Sequence, residues 1–250
     1  MELWILGSGT STPAAERGCA GYLLRLNGKT FLVDAGPGTL RALAKNNTSL
    51  ADITDIFITH THVDHCGDLP ALLFGMKYGL AAPRNNLTLH GPEGFSGFVN
   101  KLLEAFGDQI RPSDWPMHLR DHSTEEFVVD SVKINTIPVE HPIAAIGYRF
   151  DDGNGKSLAC SGDTAPCNNI IKLAMNCDAL LMECSRPDDS PIAGHATTSE
   201  AAAVAKKAEV KTLILTHIYP ENDTTDLEQR ATRFFDGIVI TARDGMRIVI

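Results

Sequence analysis

The sequence predicts an α/β fold in which two mixed β-sheets pack face to face between flanking helices, an αββα sandwich. Three observations carry this expectation. Short β-rich runs recur in both halves of the chain, helix-like segments lie between them, and no internal repeat, low-complexity tract or linker divides the 250 residues, so 1–250 is read as one domain. In the first half the strand-like runs are 2–6 (ELWIL), 22–26 (YLLRL), 30–34 (TFLVD), 55–59 (DIFIT) and 87–91 (LTLHG). Helical patterning falls near 38–46, 68–79 and 94–108. In the second half, 127–130, 132–139, 145–150 and 156–162 read as strands, followed by a helix near 166–176. Strand 179–184, a helix near 198–208, strand 212–218, a helix near 226–235 and closing strands 237–243 and 245–250 complete the pattern. Each half is thus expected to supply its own sheet. The longest irregular stretch, 109–123 with Pro112, Trp115 and Pro116, reads as a surface loop or as a lid or pocket wall.

Composition narrows the function classes. With 43% hydrophobic and 21% charged residues the chain can bury a full core. A net charge of -9 argues against indiscriminate attraction to nucleic acid or anionic membranes. The opening MELWILGSGT lacks the charged leader of a signal peptide, and no apolar run approaches the ~18 residues of a membrane span. Cysteines 19, 66, 160, 167, 177 and 184 show no C-x-x-C spacing and read as reduced thiols, with the cytoplasm as the expected compartment.

The segment ITHTHVDHCGDLP holds His60, His62, Asp64 and His65 between a strand and a helix-like run. Four ligand-type side chains within six positions of a strand-to-helix turn can diverge toward two adjacent ions, and imidazole nitrogen with carboxylate oxygen suits zinc. Three further candidates each follow an apolar strand-like run: His141 after 132–139, Asp163 after 156–160 and His217 after 212–216. A sheet presents such residues on loops at one edge, where distant parts of the chain meet.

H-x-H-x-D-H followed by separate His, Asp and His resembles the metallo-β-lactamase superfamily across nearly the whole chain. The resemblance implies that His60, His62 and His141 hold a first metal, that Asp64, His65 and His217 hold a second, and that Asp163 bridges them. It also implies that Asp34, in FLVDAGPGT, supports the ligand loop. The cofactors expected are two divalent ions, Zn2+ first, with Mn2+ or Fe2+ as alternatives. Within the superfamily the likeness is to the ribonuclease Z branch, carried by LGSGTSTPAAERG, VDAGPGT, ECS at 183–185 and GHATTSEAA at 194–202. That branch implies a His195 that protonates the leaving oxygen, oriented by Glu183; in the expected mechanism Asp64 accepts a proton from water while remaining a metal ligand. Thr197 to Glu200 reads as a capping box opening a helix just after His195. Three departures weaken the case for an RNA substrate. The P-x-K-x-R-N element keeps only Pro13 and Arg17, the Gln of G-E-G-T-Q is Leu40, and residues 142–162 leave no space for a long transfer-RNA-clamping arm.

The expected activity is therefore hydrolysis of a phosphodiester by a metal-bridging hydroxide. A metal-dependent ester, lactone, thioester or aryl sulfate hydrolase is the alternative, followed by an iron oxidoreductase or a non-catalytic binding domain on the same fold. The expected partner is a phosphodiester or small ester substrate; RNA ranks lower, a membrane is excluded, and a homodimer is implied by the resemblance alone. His90, His118 and His122 fit no ligand spacing and read as surface or satisfied core histidines. Cys66 and Cys184 read as packed small residues. Phe74, Tyr78 and Trp115 are candidate pocket residues, although the i,i+4 spacing of Phe74 and Tyr78 favours core positions.

Overall fold

The computed structural model describes residues 1–79, 86–112, 115–224 and 226–250. One sheet is built from β1 (Glu2–Gly7), β2 (Gly21–Leu26), β3 (Lys29–Ala35), β4 (Ile53–Phe57), β5 (Leu87–Pro92) and β6 (Met117–His122). The other holds β7 (Glu125–Val129), β8 (Val132–Pro138), β9 (Ile146–Asp151), β10 (Ser157–Cys160), β11 (Ala179–Glu183), β12 (Thr212–Thr216) and β13 (Ile238–Thr241). The last strand, β14 (Arg247–Val249), returns to the first sheet and pairs antiparallel with β1, giving the orders β14-β1-β2-β3-β4-β5-β6 and β13-β12-β11-β10-β9-β8-β7. That placement corrects the expectation that each half of the chain supplies its own sheet. Periodicity identifies a strand but carries no information about which edge it joins.

Both sheets are mixed. From β3 to β6, and from β10 to β13, neighbours run parallel, and the remaining pairs are antiparallel. Parallel strands covered on both faces need apolar side chains on both, which explains the unbroken burial of ALLME in β11 and its near-repeat in TLILT of β12. Between the sheets lies a core that includes Phe31, Phe57, Ile134, Tyr148, Phe150 and Ile214. The outer face of the first sheet is covered by α1 (Thr39–Lys45), α3 (Leu69–Tyr78) and α4 (Phe95–Phe106), with the single turn α2 (Val63–Cys66) before α3. The second is covered by α5 (Asn168–Ala174), α6 (Thr198–Lys207) and the short α7 (Leu227–Ala231). No helix among the described residues is long and apolar enough to cross a membrane.

Three further expectations are revised. Within 109–123, the polar run MHLRDH forms the edge strand β6, matched residue for residue with β5, and Trp115 packs against the outer core of the first sheet. Residues 113 and 114 of that stretch lie outside the described residues. Phe74 and Tyr78 are not core: they are 46% and 58% exposed, because Leu69, Leu72, Leu73 and Met76 supply the buried face of α3. The helix expected to reach 235 stops at Ala231.

The N-terminal loop is clasped from the far end of the chain. Asp244 accepts hydrogen bonds from Ser8 N and Gly18 N, at 2.9 and 2.6 Å, and Asp223 pairs with the buried Arg17 at 2.8 Å. The same loop reaches the functional edge, where Ser11 N lies 3.3 Å from Asp64 Oδ2. Arg17, shared with the resembled motif, is thus engaged in holding this loop down.

Candidate metal centre

The loops that follow β3, β4, β8, β10, β11 and β12 all leave from the same edge of the sandwich, where open sheets bind ligands. They are laced together: Ile146 N donates to Thr59 O at 2.9 Å, and His60 bridges to Ala145. This edge gathers all seven sequence-predicted ligands. His60, His62, His141 and Asp163 form one group, and Asp64, His65 and His217 a second. Asp163 faces both, with Oδ2 3.6 Å from His60 Nε2 and Oδ1 3.3 and 3.5 Å from the Nε2 atoms of His65 and His217.

Counting protons shows what these groups lack. Asp34 Oδ2 accepts from His65 Nδ1 at 2.8 Å and from Thr59 Oγ1 at 3.0 Å. With its proton given to Asp34, Thr59 Oγ1 accepts from His60 Nδ1, 3.1 Å away. Gly194 O accepts from His141 Nδ1 at 3.0 Å. Ser185 Oγ donates to Glu183, so it accepts from His217 Nδ1 at 2.9 Å. Each outer nitrogen therefore carries the hydrogen, and in the neutral ring each inner Nε2 presents a lone pair. His60 Nε2 and His141 Nε2 stand 3.1 and 3.2 Å from His62 Nδ1, and one proton on His62 can satisfy only one of them. In the second group, lone pairs face carboxylate oxygens, and the buried atoms His65 Nε2, His217 Nε2 and Asp163 Oδ1 have no hydrogen-bond partner. Buried acceptors facing acceptors need positive charge between them, a proton or a metal cation. Their 3.1–3.6 Å spacings match the edge of about 3.3 Å that follows from metal–nitrogen bonds of about 2.0–2.1 Å in a tetrahedron.

The electrostatics show the same want of positive charge: burial disfavours a charged His65, yet Asp163 and Asp34 outweigh it and raise its pKa well above the ordinary histidine value, so without a metal this ring takes up a proton. Burial works against ionising Asp163 and Asp64, yet facing imidazoles, His217 foremost, hold both carboxyls below the usual range. Burial, then the neighbouring His65, pushes His60 well below the ordinary histidine value, which favours a neutral, ligand-ready ring. Asp34 and His217 adopt left-handed backbone angles, φ 55° and 54°, unusual for residues with side chains and common where a site imposes them.

His195 stands at the edge of this cluster. Its Nδ1 lies 3.1 Å from Glu183 Oε1, 3.2 Å from Ser185 Oγ and 3.8 Å from Asp163 Oδ2. Burial disfavours its protonation, but the hydrogen bond and charge of Glu183 outweigh that and raise its pKa. Glu183 is itself fixed, accepting from Thr164 N at 2.6 Å and from Ser185 Oγ. The expected capping box is present two residues on, with Thr197 N donating to Glu200 and Glu200 N to Thr197.

Motif reading missed Thr59, Ser185 and the Gly194 carbonyl, which orient His60, His217 and His141. Ser185 serves two masters, since it joins Glu183, His195 and His217. Ser185→Ala is expected to lower metal affinity about 10–100-fold, as losing a hydrogen-bond support of a ligand does. Competition with a chromophoric chelator measures this directly, and unchanged affinity would refute the role.

The remaining candidates lie elsewhere. His118 is exposed. His90 and His122 form a buried chain, with His90 Nε2 3.0 Å from Asp55, His90 Nδ1 2.9 Å from His122 Nε2, and His122 Nδ1 2.8 Å from Glu125. Cys66 and Cys184 are buried, and burial pushes the Cys66 thiol up to about 12, so it stays protonated.

Two seven-stranded mixed sheets under helices, with this cluster of histidines and aspartates at one edge, define a metallo-β-lactamase fold with a metal-binding site. The family model described as "Beta-lactamase superfamily domain" matches residues 29–218, and the chain belongs to that superfamily. An uncharacterized protein of Mycobacterium tuberculosis is 31% identical over 246 residues, spanning 96% of this chain and 88% of its own. A ribonuclease Z of Mycobacterium bovis is 29% identical over 276 residues, spanning 100% and 98%. Among solved structures, the metallo-β-lactamase fold protein YhfI from Bacillus subtilis superposes with a TM-score of 0.86 at 23% identity, covering 99% of this chain and 98% of its own.

Proposed function

We propose that the protein is a dinuclear metal-dependent hydrolase acting on phosphodiesters. The observation that carries this reading is the His195–Glu183 pair, held beside the candidate metal groups with the imidazole biased toward its protonated form. A phosphodiester with an alkoxide leaving group needs a proton at the departing oxygen, whereas an activated ester needs it far less. The relationship to ribonuclease Z supports the same bond type.

His60, His62 and His141 would hold one ion, Asp64, His65 and His217 the other, and Asp163 both; the nitrogen and oxygen donors favour zinc. Two such ions, when bound, neutralise phosphate oxygens and lower the pKa of water toward about 7. Asp64, at the edge of the second group, takes up a proton from the attacking water. His195 delivers one to the leaving oxygen, and Glu183 keeps its Nδ1 hydrogen turned away so that the other nitrogen faces outward. Asp34 and Thr59 keep the His60 and His65 rings from turning.

The test is hydrolysis of bis(p-nitrophenyl) phosphate against a p-nitrophenyl carboxylic ester by metal-quantified protein, with Asp64→Ala as control. Metal-dependent diester cleavage that disappears in the control is the expected result. Cleavage of the ester alone would transfer the protein to the esterase or lactonase class.

A further inference from the structure

Beside the metal centre, a second cavity opens on the same edge of the sandwich. It has a volume of about 310 Å3 and shares His141 with the first metal group. The loop after β5, the β6–β7 turn and the loop after β8 enclose it. Pro92, Val139, Ile143 and Ile146 give it apolar walls. Among the described residues Glu93 is the one acidic residue on its lining and is exposed, and neither Lys nor Arg contributes. His122 closes one side with both ring nitrogens already engaged, by His90 and Glu125, and with its ring stacked on Phe127 at 4.5 Å between centroids. It is a rigid flat wall without a free donor.

These properties select an occupant. An anionic backbone segment would meet no cation there and one carboxylate, so a run of RNA phosphates is disfavoured. A cavity of this size and lining suits an uncharged ring with little hydrogen-bonding demand. The cavity borders the reacting edge through His141, whose ring lies 5.1 Å from that of His195.

We propose that this cavity is a specificity pocket for an uncharged aryl ring borne by the substrate of the adjacent metal group. The inference rests on the hydrolase reading above and deepens it by distinguishing a small aryl diester from a long RNA.

Binding of phenylphosphonate and methylphosphonate to metal-loaded protein, measured by calorimetry, tests it without turnover. Both probes carry the same anion, and only one carries a ring. Phenylphosphonate is expected to bind at least about tenfold more tightly, since burying a ring outweighs burying a methyl group by that much. Ala144→Trp, at an exposed position on the lining, is expected to erase the preference while methylphosphonate binding and metal content stay unchanged. Val139→Phe fills the pocket from another wall and should do the same. No preference in the native protein, or a preference that survives both substitutions, overturns the proposal. The kinetic counterpart compares bis(p-nitrophenyl) phosphate with methyl p-nitrophenyl phosphate, which share a leaving group. Absent diester turnover with the binding preference intact would reject the phosphodiesterase reading and keep the pocket.

Discussion

Replacing His195 with alanine is expected to slow hydrolysis of a diester with an alkoxide leaving group by about 10^2–10^4-fold, the usual contribution of a positioned general acid. The same substitution should barely change the rate with p-nitrophenolate, which departs without a proton. A series of diesters with graded leaving-group pKa reads this as a steeper dependence in the variant, and an equal loss across the series would overturn the role. The pH profile gives a second check. Burial alone would depress the His195 pKa, but Glu183 raises it above the ordinary value near 6.5. The acid form is therefore complete below that range and is lost as pH rises through the raised value. Native activity on poor leaving groups should fall along this alkaline limb, and His195→Ala should lack it. Glu183→Gln should move the limb to lower pH, because the carboxylate that stabilises the imidazolium is gone.

The other large effect is expected at Asp163. Its two oxygens face different histidine groups, and its Oδ1 is buried without a hydrogen-bond partner. Asp163→Ala should therefore weaken metal binding at both groups, and by more than the about 10–100-fold that loss of a supporting residue such as Asp34 costs. His141→Ala should affect the first group and His217→Ala the second. Metal content after dialysis against graded chelator separates these outcomes: two stepwise losses in the single-group variants, and a joint loss for Asp163→Ala. Retention of both metals by Asp163→Ala would refute its bridging assignment.

Much of this centre is legible in the sequence because its chemistry is carried by residue type. His60, His62, Asp64 and His65 lie within six positions, and His141, Asp163 and His217 each follow a strand that can be recognised from its apolar run. The orienting groups are hidden for the opposite reason. Any serine or backbone carbonyl can accept a hydrogen bond, and Gly194 meets His141 from 53 positions away, a proximity created only by folding. The same logic separates the elements. Strands buried on both faces announce themselves, as ALLME and TLILT do, whereas β6 is polar and becomes a strand only because β5 offers it an edge. Phe74 and Tyr78 show that helical spacing identifies a stripe without saying whether the stripe faces inward.

The clasp between Asp244, Asp223 and the N-terminal loop, together with the pairing of β14 on β1, has a consequence for the order of assembly during synthesis. Translation delivers the His60–His65 cluster well before Asp223 and Asp244, the groups that pin Ser8, Arg17 and Gly18 and through that loop border Asp64. Until Asp244 and β14 have been made, β1 presents an unpaired edge and the loop that borders Asp64 has nothing to clasp it, so this side of the site is the part of the fold completed late in synthesis.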